Sequence, residues 1–108
     1  MNIDDAVFVG FNRRVAALDK RTGEILWRWQ AQSGTGFVSL LLDGDRLFAA
    51  VNGYTYCLNA QTGEQLWLNT MSGFGYGVTS LATVAGRTQH PLLGEASAEE
   101  ARRQSATS

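Results

Sequence analysis

The sequence has one cysteine, one histidine and almost no net charge. The lone Cys57 excludes an intrachain disulfide and supplies no metal cluster. His90 stands beside Pro91 with no partner that would make it a catalytic base. A formal net charge of −1 argues against nucleic acid or another polyanion as a partner. No stretch approaches the roughly 18 apolar residues of a membrane span. Met1 to Asp5 lacks a basic region and an apolar run, so no signal peptide is expected, and the chain as written points to the cytoplasm. At 108 residues and 44% hydrophobic content it is one globular domain at most.

What the chain does have is a repeat. The eleven residues Ala17-Leu18-Asp19-Lys20-Arg21-Thr22-Gly23-Glu24-Ile25-Leu26-Trp27 recur as Cys57-Leu58-Asn59-Ala60-Gln61-Thr62-Gly63-Glu64-Gln65-Leu66-Trp67, 40 residues later and without a gap. A fixed period of that size marks stacked structural units, propeller blades among them. In each copy an Asp or Asn that can accept from backbone N–H groups two or three residues on opens a turn, and a glycine follows where a short hairpin loop wants a left-handed residue. Gly23 and Gly63 are therefore expected at positive φ, and so is Gly53 of the Asn52-Gly53 hairpin. Asn12-Arg13 echoes that hairpin, which puts Arg13 in the left-handed region at some cost. Trp27 and Trp67 need cover, and one indole per repeat at a fixed place suggests packing on a neighbouring repeat, with both largely buried.

Strand signals recur every 8 to 12 residues. They span Val7 to Phe11, Arg14 to Leu18, Glu24 to Gln30, Phe37 to Leu42, Leu47 to Val51, Tyr54 to Asn59, Gln65 to Asn69 and Val78 to Val84. Leu47, Ala49 and Val51 on one face, and Phe48 and Ala50 on the other, make a strand apolar on both sides, as in a blade between two blades. Ile25, Trp27 and Trp29 are expected to share a face. The expected fold class is all-β: two four-stranded antiparallel propeller blades, a partial β-propeller, plus one extra strand. Residues 1–86 hold the two circularly offset repeats. The chain enters at the second strand of a blade, so blade one lacks its first strand and Val78 to Val84 is a first strand without a blade. Residues 87–108 are polar and expected to be a disordered tail, with Ser97-Ala98-Glu99-Glu100 able to open a short helix.

The repeat resembles the tryptophan-docking motif, Ala-x-Asp-x-x-Thr-Gly-x-x-x-Trp, of the PQQ-like, or quinoprotein-type, β-propellers. Ala17, Asp19, Thr22, Gly23 and Trp27 fit it at every fixed position. Cys57, Asn59, Thr62, Gly63 and Trp67 fit it with Cys for Ala and Asn for Asp. The resemblance covers roughly Val7 to Val84 and implies a structural docking role for these ten residues. The family includes PQQ-dependent dehydrogenases and outer-membrane assembly scaffolds, and it is often extracytoplasmic, so the compartment stays open. Its dehydrogenases surround the cofactor with many blades and often carry a vicinal cysteine pair, which this chain lacks. The expected function is a non-catalytic repeat module for protein binding or assembly, without a cofactor, a bound metal or catalytic residues. The expected partners are further copies of itself or the propeller blades of another chain. The alternatives are a truncated fragment of a PQQ-dependent dehydrogenase and a truncated gene product with no task.

Other candidates for chemistry are weaker. Gly73-Phe74-Gly75-Tyr76-Gly77 is glycine-rich, but a strand signal follows it and not the helix that a phosphate cradle requires. Asp43-Gly44-Asp45 lacks the further oxygen ligands of a calcium loop and reads as a hairpin turn. Glu24 and Glu64 hold equivalent turn positions and are expected at the solvated rim. Cys57 is expected to be a small buried apolar residue in the place of Ala17. Trp29 has no echo, since Asn69 stands there, and is either an exposed aromatic or an interface contact.

Overall fold

The computed structural model describes residues 1–86. The polar tail, His90 and the expected helix start at Ser97 lie outside the described residues. A single 3-10 turn, Ile3–Asp5, precedes the first strand, with the Asn2 side chain accepting from the Asp4 N–H; nothing in the strand pattern announces it. Seven strands follow: β1 Ala6–Phe11, β2 Arg14–Asp19, β3 Ile25–Gln30, β4 Val38–Asp43, β5 Arg46–Val51, β6 Tyr54–Asn59 and β7 Gln65–Asn69. They form two antiparallel sheets, β1-β2-β3 and β4-β5-β6-β7, each laid out in chain order. The chain is all-β. Blade two has four strands, as expected, but blade one has three, which corrects the expected pair of four-stranded blades: no strand among the described residues pairs with the outer edge of β1.

The hairpin between β1 and β2 turns through Asn12 and Arg13, at φ 51° and 55°; the hairpin between β5 and β6 turns through Asn52 and Gly53, at φ 51° and 95°. Arg13 therefore holds a left-handed backbone that Gly53 adopts without a Cβ penalty. Asp43-Gly44-Asp45 is the turn between β4 and β5, with Asp43 opposite Arg46.

Residues 78–84 form no strand, contrary to the strand signal there. A strand is defined by its ladder, and these residues have no partner strand among the described residues. Val78 and Val84 are exposed.

Cross-strand pairing sorts each sheet into two faces. In blade one Phe8 stands opposite Ala17 and Ala17 opposite Trp27, while Val15 stands opposite Trp29. These residues share what we term the tryptophan face. The other face carries Val7 opposite Leu18, Val9 opposite Ala16 and Phe11 opposite Arg14. In blade two the tryptophan face carries Phe48, Cys57 and Trp67, and the other face carries Leu47, Ala49, Val51, Tyr56 and Leu58. A bulge breaks the β2–β3 register, so that Leu18 pairs with Ile25 and Ala17 with Trp27; the β6–β7 register breaks at the same repeat position. The extra residue moves Ile25 to the face opposite Trp27 and Trp29, which corrects the expectation that the three share a side.

The core lies between the blades. The tryptophan face of blade one packs on the Leu47–Tyr56 face of blade two, and Val15, Ala31, Leu47, Ala49, Val51, Tyr56, Leu58 and Ala60 form one buried cluster. Phe8, Trp27 and Trp29 pack against that cluster. Gly10 lets the sheets approach closely: a Cβ there would meet Val38 Cγ1 at 2.8 Å. Both faces of β5 are lined with apolar side chains, with Ala49 and Ala50 both buried, as a blade between two blades requires.

Candidate functional site

The repeated turns are built alike from local hydrogen bonds. In the first, the Asp19 carboxylate accepts from the N–H groups of Arg21 at 2.8 Å and Thr22 at 3.3 Å, and Thr22 Oγ1 accepts from the Glu24 N–H at 3.2 Å. In the second, Asn59 Oδ1 accepts from Gln61 at 2.8 Å and Thr62 Oγ1 from Glu64 at 3.2 Å. The Thr62 N–H turns instead to the Asn59 carbonyl at 3.3 Å, so the amide in place of the carboxylate costs one side-chain bond and no backbone pairing. Gly23 and Gly63 both sit at φ 79° and donate to the carbonyl of residue 19 or 59 at 2.7 Å. The Lys20 N–H donates to the Asp5 carbonyl at 3.0 Å and the Ala60 N–H to the Asp45 carbonyl at 2.9 Å, which fixes the two loops alike on their own sheets. Glu24 and Glu64 are exposed.

The two loops differ in what lies on them. The half-buried Trp27 indole covers the second loop, where its Nε1–H donates to the Ala60 carbonyl at 2.9 Å. Its ring lies so close to Gly63 that a Cβ there would stand 2.5 Å from Cε3. Only a glycine fits, for contact as well as for φ. The first loop is open: a Cβ at Gly23 would meet nothing within 4 Å. Trp67 is 46% exposed, so among the described residues only one of the two tryptophans expected to be buried has a neighbouring blade against it. Trp67 is nonetheless held like its counterpart. Its ring centroid stands 6.0 Å from that of Phe48, and the Trp27 centroid stands 6.0 Å from that of Phe8, with interplanar angles of 46° and 41°.

Three further contacts close the junction between the blades, and none uses a fixed position of the motif. Trp29 Nε1–H donates to Gln65 Oε1 at 3.1 Å, and the Trp29 ring meets Tyr56 edge-on at a centroid distance of 4.6 Å. The Tyr56 hydroxyl donates to the Ser33 carbonyl at 2.9 Å and accepts from the Ser33 N–H at 3.1 Å, which pins the loop between the blades. Trp29 is thus an interface contact within the chain. Phe8 and Phe48 stand 40 residues apart, so the period points to them as well as to the motif. Tyr56 has only Ala16 as its echo, and no periodic signal marks it.

Ala17 and Cys57 are both buried beneath their tryptophans, and burial pushes the Cys57 thiol above its ordinary pKa. Among the described residues no three His, Cys, Asp or Glu side chains gather where they could hold a metal ion, and no helix is long and apolar enough to cross a membrane. The glycine-rich loop after β7 lies over the Asn52-Gly53 turn, where the Gly77 N–H donates to Asn52 Oδ1 at 2.9 Å. Phe74 and Tyr76 of that loop are exposed. No helix follows it among the described residues, so it lacks the N-terminal amides of a phosphate site.

The family model for outer membrane protein assembly factor BamB, a PQQ-type repeat, matches residues 12–98 and takes in both copies of the motif. The chain belongs to this family. As a BamB-like repeat protein it accounts for its two antiparallel sheets as propeller blades, and for the equal spacing of its two turns as the step from one blade to the next. No curated protein matches the chain.

Proposed function

We propose that the chain is a non-catalytic β-propeller repeat module that binds protein and assembles with further blades into a larger propeller. In this reading Ala17, Asp19, Thr22, Gly23 and Trp27, and Cys57, Asn59, Thr62, Gly63 and Trp67, are docking elements that join blades. One observation carries the reading. The tryptophan face of blade two has the geometry of the tryptophan face of blade one, yet Trp67 is 46% exposed. Large aromatics held rigid at a surface favour protein contact, because little conformational freedom is lost on binding. The family's description as an assembly factor supports protein binding as its use.

The test is a titration of the purified chain with pyrroloquinoline quinone, followed by absorbance. No stoichiometric binding is expected. Saturable one-to-one binding would overturn the non-catalytic reading in favour of a dehydrogenase fragment.

A further inference from the structure

The junction between the two blades serves as a template for a second one. Blade two receives Trp27 on a face where Leu47 is 1% exposed, Val51 0%, and Ala49, Leu58, Ala60 and Gly63 are also buried. The residues 40 positions earlier form a face of blade one that no second blade covers among the described residues: Val7 is 44% exposed, Phe11 67%, and Lys20 and Gly23 are open. That face is concave and apolar, lined by Val9, Phe11, Ala16 and Ile25 and flanked by Arg14 and Arg28. At the other end of the molecule Trp67, already seated against Phe48, presents what this face lacks.

We propose that the tryptophan face of blade two docks on the Val7–Phe11 face of blade one in a second copy of this chain. The Trp67 indole then lies over Gly23 and donates to the Lys20 carbonyl, as Trp27 does at Gly63 and Ala60. The proposal rests on the reading of the chain as an assembling module and names its partner. The contact is heterologous, using a different surface on each copy, so it propagates as a ring or a filament according to the rotation per step. Three substitutions agree with a matched junction. Asn69 replaces Trp29, and the two groups that serve Trp29, Gln65 and Tyr56, are replaced by Ile25 and Ala16. Without that aromatic pair the junction between copies is weaker than the one within the chain. The same docking brings residues 78–83, which stand 40 positions after β4, to the edge of β1 that has no partner strand among the described residues. An unpaired edge is a template for strand addition.

Light scattering on the whole chain tests this, with two variants. Trp67→Gln removes the plug. Gly23→Asn blocks the socket, since its Cβ has open space in its own copy and asparagine tolerates positive φ. At about 100 µM, well above a micromolar dissociation constant, the wild type is expected to exceed the chain mass of 11.7 kDa. Each variant alone should remain at the chain mass. Their equimolar mixture should reach twice it and stop, because the only plug left is on the Gly23→Asn copy and the only socket on the Trp67→Gln copy. If Trp67→Gln fails to fold, Gly23→Asn alone decides. A wild type that stays at the chain mass, a Gly23→Asn variant that assembles like the wild type, or two folded variants that do not pair would each overturn the proposal. None of these results bears on the cofactor titration, so the partner and the non-catalytic reading fail separately.

Discussion

Trp67 stands 6.0 Å from Phe48, centroid to centroid, the distance Trp27 keeps from Phe8, although among the described residues only Trp27 has another blade against it. Each indole is therefore oriented by its own sheet, and the neighbouring blade then meets a side chain already in place. Order paid for within the blade is not lost again on docking.

Truncating the two tryptophans should have unequal effects. Trp27→Ala removes a half-buried ring and its bond to the Ala60 carbonyl, and is expected to cost about 3 kcal/mol, the lower end of the scale for a buried aromatic. Trp67→Ala, in chains at monomeric concentration, should cost less than about 1 kcal/mol, since it is exposed. Urea denaturation of both variants checks this, and equal losses would contradict the asymmetry.

Alanine at the two turn glycines separates backbone strain from contact. Gly23→Ala should destabilise the monomer by about 1 kcal/mol, the cost of a left-handed Cβ. Gly63→Ala has the same φ and also drives a Cβ into the Trp27 ring, which adds roughly 1–3 kcal/mol of overpacking. Trp27→Ala should erase that excess. A double-mutant cycle with no coupling between positions 27 and 63 would refute the contact.

Tyr56→Phe should release the loop between the blades. The hydroxyl it removes satisfies both backbone groups of Ser33, and the expected loss is about 1–3 kcal/mol. Amide exchange at Ser33 should accelerate while the β5–β6 ladder stays protected. Unchanged protection at Ser33 would show that the loop is held by something else.

Arg13→Gly should stabilise the chain, by less than about 1 kcal/mol, since it relieves a left-handed arginine at the cost of a more flexible unfolded chain. The backbone bonds of residue 13, to the Gly36 carbonyl and from the Ala31 N–H, do not depend on its side chain. A lower melting temperature would indicate that the arginine side chain itself holds the hairpin.

Cys57 should be inert in the folded chain and make stability depend on alkaline pH. Burial raises its pKa, so the folded state holds the thiol proton more tightly than the unfolded state does. The resulting stability is complete below about pH 8.5, the ordinary thiol value, and is lost as pH rises from there through the higher folded value. Cys57→Ala, the residue repeat one carries at this place, should flatten that slope. A thiol reagent that reacts with the native chain as fast as with the urea-unfolded one would sink this prediction.

The turns and strands were legible in the sequence because their causes are local. Asp19 and Asn59 organise backbone within three residues of themselves, and Asn52-Gly53 sets its hairpin through two dihedral pairs. The 40-residue period carried those local rules from one blade to the next and showed which sheet position each residue holds. Tertiary structure alone decided the different fates of equivalent repeat positions. Trp27 is covered and Trp67 exposed because an indole is buried by the surface that meets it, and that surface lies 33 residues away for the first. Residues 78–84 carry the strand signal of β4 without its ladder, because pairing needs a second backbone. The bulge that separates Ile25 from Trp27 follows from how two strands align, which neither strand specifies by itself.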